Sequence, residues 1–311
     1  MKKTRISFLS SEGTVTLHGF HWCPDQEPEA VLVLCHGMAE HIRRYDEFAR
    51  AMAGAGIAVL GMDLLGHGDS LNKEGELGFF AERHGDRILV RDLHLAVQTA
   101  HQLHPGKPVF VLGHSIGSFI LRRYITRWGA ETDGVILVGT GTIPRRIARF
   151  GIALADWICR KKGKHARSRL LQFMAEGKYS LPYLLPWKKG SWLSKNQESL
   201  KAYAEDPRCG FCFTAGAYLD LFRMLENLAR EKDMEKIPRT LPVLLCAGIE
   251  DPVGSKSREV LEVYNSLVAK GFRDLDIYLY EKDRHEILQE LDRDKVFSDI
   301  QNWILDRCHK L

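Results

Sequence analysis

The stretch Val109-Phe-Val-Leu-Gly-His-Ser-Ile-Gly-Ser118 governs the reading of this 311-residue chain. Pro108 and the apolar run Val109–Leu112 have the composition of a strand buried on both faces. Gly113-His114-Ser115-Ile116-Gly117 follows at once and fits G-x-S-x-G, and Ser118 to Ile125 continues with helical spacing. Strand, pentapeptide and helix in that order make a nucleophile elbow, with the serine on a sharp turn at the end of the strand. Such a turn strains the serine backbone, and glycines two positions to either side leave room that a Cβ would fill. Ser115 is therefore the candidate nucleophile.

Strands and helices alternate outward from the elbow. Residues 5–10 and 14–22 alternate about Glu12-Gly13 as a β-hairpin, and Ala30–Cys35 and Ile57–Met62 read as buried strands. Helices are expected over Tyr45–Ala55 and Arg83–Leu103, the latter stopped by His104-Pro-Gly106. Beyond the elbow, Gly134–Gly139, Pro242–Gly248 and Leu275–Tyr280 read as strands, and Val296–Leu305 as a closing helix. The alternation lapses from about 142 to 230. That region has amphipathic segments such as Ile147–Arg160 and Ala217–Leu228, and a proline-broken aromatic stretch, Tyr179-Ser-Leu-Pro-Tyr-Leu-Leu-Pro-Trp187. The pattern predicts a mostly parallel α/β sheet covered on both faces. Residues 1–141 and 231–311 would form its core, with a helical insertion over 142–230.

Composition narrows the classes. Apolar and charged fractions of 45% and 27% and a net charge of +4 suit a globular domain and give no nucleic-acid signal. Seven scattered cysteines, an odd number, suggest a reducing compartment rather than a disulfide framework. Polar Ser7, Ser10, Ser11 and Glu12 interrupt the apolar core that a signal peptide would need after Met1-Lys-Lys. No run approaches the roughly 18 apolar residues of a membrane span, so a cytoplasmic location is expected. From Ile143 to Lys178, ten Lys/Arg stand against two acids, Asp156 and Glu176. That basic stretch could hold the insertion near anionic lipid headgroups; a solvated helix face is the alternative.

A serine hydroxyl needs a base within reach, and the base needs a carboxylate to orient it. After an elbow of this kind the order is Ser, then Asp or Glu, then His, each at the carboxyl end of a strand. Asp251 follows strand 242–247 in Gly248-Ile-Glu-Asp-Pro-Val-Gly254, with Glu250 as an adjacent rival, and His285 follows strand 275–280 in Lys282-Asp-Arg-His-Glu286. A tetrahedral intermediate would take backbone N–H groups from the residue after the nucleophile and from an early strand's loop. That nominates the amides of Ile116 and Met38. His114 is read as structural.

Several of these stretches lie in one register: His36-Gly-Met-Ala-Glu-His41, Arg44-Tyr45-Asp46, Asp63 with Gly66-His-Gly-Asp-Ser70, Gly113-His-Ser-Ile-Gly117 and Arg284-His285-Glu286. Together they resemble α/β-hydrolases of the monoglyceride lipase and lysophospholipase type, also labelled serine aminopeptidase-like. Asp206-Pro-Arg-Cys-Gly-Phe211 with Thr214-Ala-Gly216 looks like a segment of bacterial members. The resemblance implies the α/β-hydrolase fold, a triad of Ser115, Asp251 and His285, and a helical cap, or lid, over an acyl pocket. Two departures stand out: Ser118 where a second glycine is common, and Glu281-Lys-Asp-Arg284 in place of a Pro-Gly-type turn before the histidine.

The expected activity is hydrolysis of carboxylic esters, favouring monoacylglycerols or lysophospholipids, with no cofactor and no metal. A short-chain carboxylesterase is one alternative. An aminopeptidase-like amidase is another, disfavoured because the insertion is acid-poor. A non-catalytic binding module is the remaining one. Cys209-Gly-Phe-Cys212 lies in the insertion, which argues against a redox role. His94, His101 and His104 read as a solvated face, and Asp63 and His67 as either active-site rim or turn structure.

Overall fold

A computed structural model of the chain describes residues 1–177, 179 and 191–309. The strands are β1 (Lys2–Leu9), β2 (Thr16–Cys23), β3 (Ala30–Cys35), β4 (Ile57–Met62), β5 (Val109–His114), β6 (Gly134–Val138), β7 (Val243–Gly248) and β8 (Leu275–Tyr280). They form one sheet in the order β1-β2-β4-β3-β5-β6-β7-β8. β1 and β2 pair antiparallel, as do β2 and β4, and the remaining pairs are parallel. Helices α1 (Asp46–Gly54), α2 (Gly85–Leu103) and α3 (Ile116–Trp128) precede β6. α4 (Arg145–Lys162), α5 (Arg169–Gln172), α6 (Gln197–Glu205) and α7 (Ala215–Ala229) lie between β6 and β7. α8 (Arg258–Ala269) and α9 (Arg293–Cys308) complete the chain.

The two-residue period of a strand explains how both faces are filled. Val31, Val33, Val109 and Val111 face the side packed by α2, α3 and α8, while Leu32, Leu34, Phe110 and Leu112 face α1 and α9. Every residue of β3, β4, β5, β6 and β7 is buried, as their unbroken apolar sequences require. α8 was not among the expected helices, although Val260, Val263 and Leu267 give it a buried stripe.

The chain runs from β3 outward to β4 and returns to β5 on the other side of β3. The carboxyl ends of β3 and β5 therefore flank a topological switch point, where α/β sheets open a crevice. Between β6 and β7, α4 packs on α7, and α7 on α2 and α3. Thr214 caps α7 by accepting from the Ala217 amide, and Asn196 caps α6 by accepting from Glu198 and Ser199. Among the described residues between β6 and β7, the β structure is one isolated bridge, Arg167 with Thr214. The stretch 180–187 and Lys178 lie outside the described residues. Among those described, no helix is long and apolar enough to cross a membrane.

Candidate active site

β5 ends at His114, and α3 begins at Ile116 without a connecting loop. Ser115 takes the whole turn on itself, with φ 53° and ψ −117°, a region that costs a non-glycine residue of order 1–3 kcal/mol. Its glycine neighbours have no alternative. A Cβ on Gly113 would lie 2.4 Å from the Gly117 carbonyl oxygen, and one on Gly117 would lie 2.2 Å from that of Cys35. Ser118, the departure from a second glycine, is buried and donates its hydroxyl to the Ser115 carbonyl at 2.6 Å. It braces the turn.

The two partners in the order meet. His285 Nδ1 lies 2.9 Å from Asp251 Oδ2, and both side chains are buried. Asp251 Oδ1 accepts the Val253 amide at 2.8 Å, so both carboxylate oxygens are held in place. Paired this way, His285 Nδ1 carries the proton and Nε2 is left as the acceptor. Glu250, the rival acid, points elsewhere and pairs with Lys195 at 2.6 Å. Gly139 sits against the imidazole at φ +59°, where a Cβ would be 2.9 Å from His285 Cε1. Trp192 packs over the same ring, 5.2 Å between centroids.

Ser115, His285, Met38 and Ile116 all line one cavity of about 210 Å³. The segment between β6 and β7 supplies Met174, Glu176, Trp192, Leu221 and Phe222 to its walls, so the pocket is largely apolar. Among the described residues the Met38 and Ile116 amides have no hydrogen-bond partner, and neither does the Ser115 hydroxyl. Ile116 opens α3, so its amide also carries the positive end of the helix dipole.

Along one wall of the cavity lies a charged network that sequence spacing did not reveal. Arg44 donates to Glu40 at 2.6 Å and forks onto both oxygens of Glu286 at 2.6 and 2.7 Å. Glu40 also accepts from the Gly37 amide at 2.6 Å and the Tyr45 hydroxyl at 2.8 Å. Burial opposes the charge on Glu40, yet Arg44 and His114 hold its carboxyl well below the usual range. Burial likewise lowers the His114 pKa, but contact with Glu40 wins and raises it. His114 also lines the cavity and touches the His285 carbonyl at 3.3 Å. The network ties the Met38 loop to the residue after His285. Its visible signal was the run Glu40-His-Ile-Arg-Arg-Tyr45, but the partner Glu286 lies 242 residues from Arg44.

The other sequence candidates resolve as follows. Asp63 and His67 are buried and do not line the cavity. Asp63 accepts the Ile42 and Asp69 amides, and His67, its pKa pushed down to about 3 by burial, accepts the Ala39 amide at 3.3 Å. Both are turn structure. Asp206 meets His41 at 2.9 Å and the Gly210 amide reaches the Ala39 carbonyl, which fastens the turn after α6 to the loop after β3. All seven cysteines are free thiols. The three helix histidines separate: His94 stacks on Trp128 at 4.2 Å, His101 meets the Glu131 carbonyl, and His104 meets His21.

The fold and this site define an α/β-hydrolase. The family model described as serine aminopeptidase, S33 matches residues 26–292, and the chain belongs to that family. It is 28% identical to a monoacylglycerol lipase of Mycolicibacterium smegmatis over 290 residues, 91% of each chain. It is 28% identical to human monoglyceride lipase over 295 residues, covering 92% of this chain and 86% of the relative. Among solved structures, a thermostable carboxyl esterase from Bacillus coagulans in complex with glycerol superposes with a TM-score of 0.91 at 26% identity, covering 99% of both chains. These relatives group the chain with the serine ester hydrolases.

Proposed function

We propose that the protein hydrolyses esters of single-acyl lipids, monoacylglycerols or lysophospholipids, through an acyl-enzyme on Ser115. Ser115 Oγ attacks the ester carbonyl as its proton passes to His285 Nε2, and Asp251 balances the imidazolium through Nδ1–H. The oxyanion of the tetrahedral intermediate accepts from the Met38 and Ile116 amides. His285 then protonates the departing alcohol. A water molecule, deprotonated by the same nitrogen, cleaves the acyl-enzyme and returns the proton to Ser115.

The observation that carries this reading is the shared cavity: the strained Ser115, His285 with Asp251 buried behind it, and the residues Met38 and Ile116 with their unpartnered amides meet at one largely apolar pocket, which Asp251 itself does not line. The described part of residues 142–230 acts as the cap, and its apolar side chains at the cavity, Met174, Leu221 and Phe222 among them, suit an acyl chain. Four carboxyl groups line the cavity, which would favour a free amino terminus and hence a peptide substrate. Three are committed, however. Glu40 and Glu286 pair with Arg44, and Glu259 accepts from Ser255 and the Thr142 amide. The fourth, Glu176, has its pKa raised to about 7 by burial, outweighing a hydrogen bond from Tyr218 that lowers it. The monoacylglycerol lipase relatives and the glycerol in the esterase complex support a glyceride ester. The exposed face of α4 carries Ile147, Phe150 and Trp157 beside Arg145, Arg146, Arg149, Arg160, Lys161 and Lys162. That mixture suits peripheral contact with an anionic lipid surface.

The test is hydrolysis of p-nitrophenyl esters from two to sixteen carbons, with Ser115→Ala beside the parent, followed by monoacylglycerol and lysophospholipid. Long-chain preference, a dead mutant and glyceride cleavage are expected. A short-chain optimum would replace the lipid reading with a carboxylesterase. Equal, negligible rates in both proteins would overturn the hydrolytic reading.

A further inference from the structure

A second constellation of reactive side chains lies at the opposite end of the sheet from Ser115. His21 and Cys23 are two residues apart near the end of β2, so their side chains leave the same face. Trp22, between them, enters the other face. His104 caps the C-terminus of α2 and leads through Pro105-Gly-Lys-Pro108 into the start of β5. Its Nε2 lies 2.9 Å from His21 Nε2, across 83 residues of sequence. One ligand atom from each of His21, Cys23 and His104 lies within 4.8 Å of the other two. All three residues are half-buried, which leaves the group open to an ion from solvent.

We propose that His21, Cys23 and His104 bind a divalent transition-metal cation of the zinc type. Two imidazoles and a thiolate form a borderline-soft donor set, which selects zinc-like ions over calcium or magnesium. Tetrahedral zinc with Zn–N bonds of about 2.0–2.1 Å sets its nitrogens roughly 3.3 Å apart. The two rings therefore need to part by only a few tenths of an ångström. Without a metal, two Nε2 atoms this close make contact only if one keeps its proton and donates to the other. A cation takes the place of that hydrogen. The donor ring moves its proton to Nδ1, the Cys23 thiol releases one to solvent, and one proton leaves per ion bound. Three protein ligands leave a fourth position for water. The ion would staple the β2 edge of the sheet to the turn between α2 and β5.

The test uses the full chain, stripped with a chelator, desalted and titrated with Co²⁺ alone as a coloured zinc surrogate. One equivalent is expected to bind with thiolate-to-cobalt charge-transfer absorption, to be displaced by Zn²⁺, and to raise the melting temperature as metal concentration rises. Cys23→Ser should abolish the charge-transfer band, and His104→Gln should weaken binding by about tenfold or more. Cys209→Ser is the control, because His41, Asp206 and Cys209 form another group of possible ligands. The proposal is overturned by the absence of saturable binding, by a band that survives Cys23→Ser, or by a band lost in Cys209→Ser. The two ligand variants sit on different elements, so if one misfolds by circular dichroism the other decides.

Discussion

Replacing Asp251 by Asn would probe the proton arrangement of the site with almost no change of shape. The outcome follows from the two oxygens. Oδ1 accepts the Val253 amide at 2.8 Å, so the amide oxygen of the new side chain must stay there, since an NH₂ would face an N–H. Its NH₂ then takes the place of Oδ2, 2.9 Å from His285 Nδ1. That nitrogen must become the acceptor, which moves the ring proton to Nε2, the atom proposed to take the Ser115 proton. The base is then blocked at the atom that should receive the serine proton. A wrong-tautomer lesion of this kind lowers kcat by about 10⁴-fold, equivalent to about 5.5 kcal/mol at the transition state. The assay is kcat on a p-nitrophenyl ester, with circular dichroism to establish that the variant is folded. Glu250→Gln should stay within about twofold, because Glu250 pairs with Lys195. A folded Asp251→Asn variant within tenfold of the parent would refute the reasoning, as would a larger loss in Glu250→Gln.

Gly139→Ala should reduce kcat by about 10²-fold by displacing the His285 ring, the scale expected of a misplacement near 1 Å; unchanged kinetics would show the ring is not held by that contact. Arg44→Met leaves Glu40 and Glu286 buried without their cation, so stability measured by urea unfolding should fall by about 3–5 kcal/mol. A loss below about 1 kcal/mol would mean that the network is solvated. Glu176 binds its proton more tightly folded, with a pKa of about 7, than at its ordinary value of 4.5. Its contribution is present below pH 4.5 and is lost as pH rises through 7, a loss on the order of 3 kcal/mol. Glu176→Gln should therefore unfold at higher denaturant than the parent at pH 8 and near the parent's midpoint at pH 4.5; an equal offset at both would contradict this. Charge reversal at Arg160, Lys161 and Lys162 should lower co-sedimentation with anionic vesicles by at least about 10²-fold, at roughly 1 kcal/mol per basic residue. Absence of vesicle binding by the parent would end the membrane reading.

The sheet was legible because its central strands are buried on both faces. Ala30–Cys35 and Ile57–Met62 therefore appear as unbroken apolar runs between turn signals, and both form with those bounds. The elbow was legible because sterics leave no choice at Gly113 and Gly117. Asp251 and His285 could be named because each follows a strand in the order that this architecture imposes. α8 was missed because its stripe of Val260, Val263 and Leu267 is short and interrupted by polar positions. The Glu40–Arg44–Glu286 network and the His21–Cys23–His104 group were illegible for a common reason. Each depends on residues tens to hundreds of positions apart, and neither periodicity nor local spacing carries that information. Glu176 belongs with them: it is one of two acids in a basic stretch, and its burial is set by walls that local spacing does not show.

The central claim is that Ser115 becomes acylated, and covalent labelling tests it most directly. The protein would be treated with an active-site-directed fluorophosphonate, digested, and its peptides weighed by mass spectrometry. The account predicts a single adduct on the peptide containing Gly113-His-Ser-Ile-Gly117, located at Ser115. It also predicts no adduct in Ser115→Ala and much slower labelling in Asp251→Asn. Stoichiometric labelling at another residue, or labelling that persists in a folded Ser115→Ala variant, would contradict it.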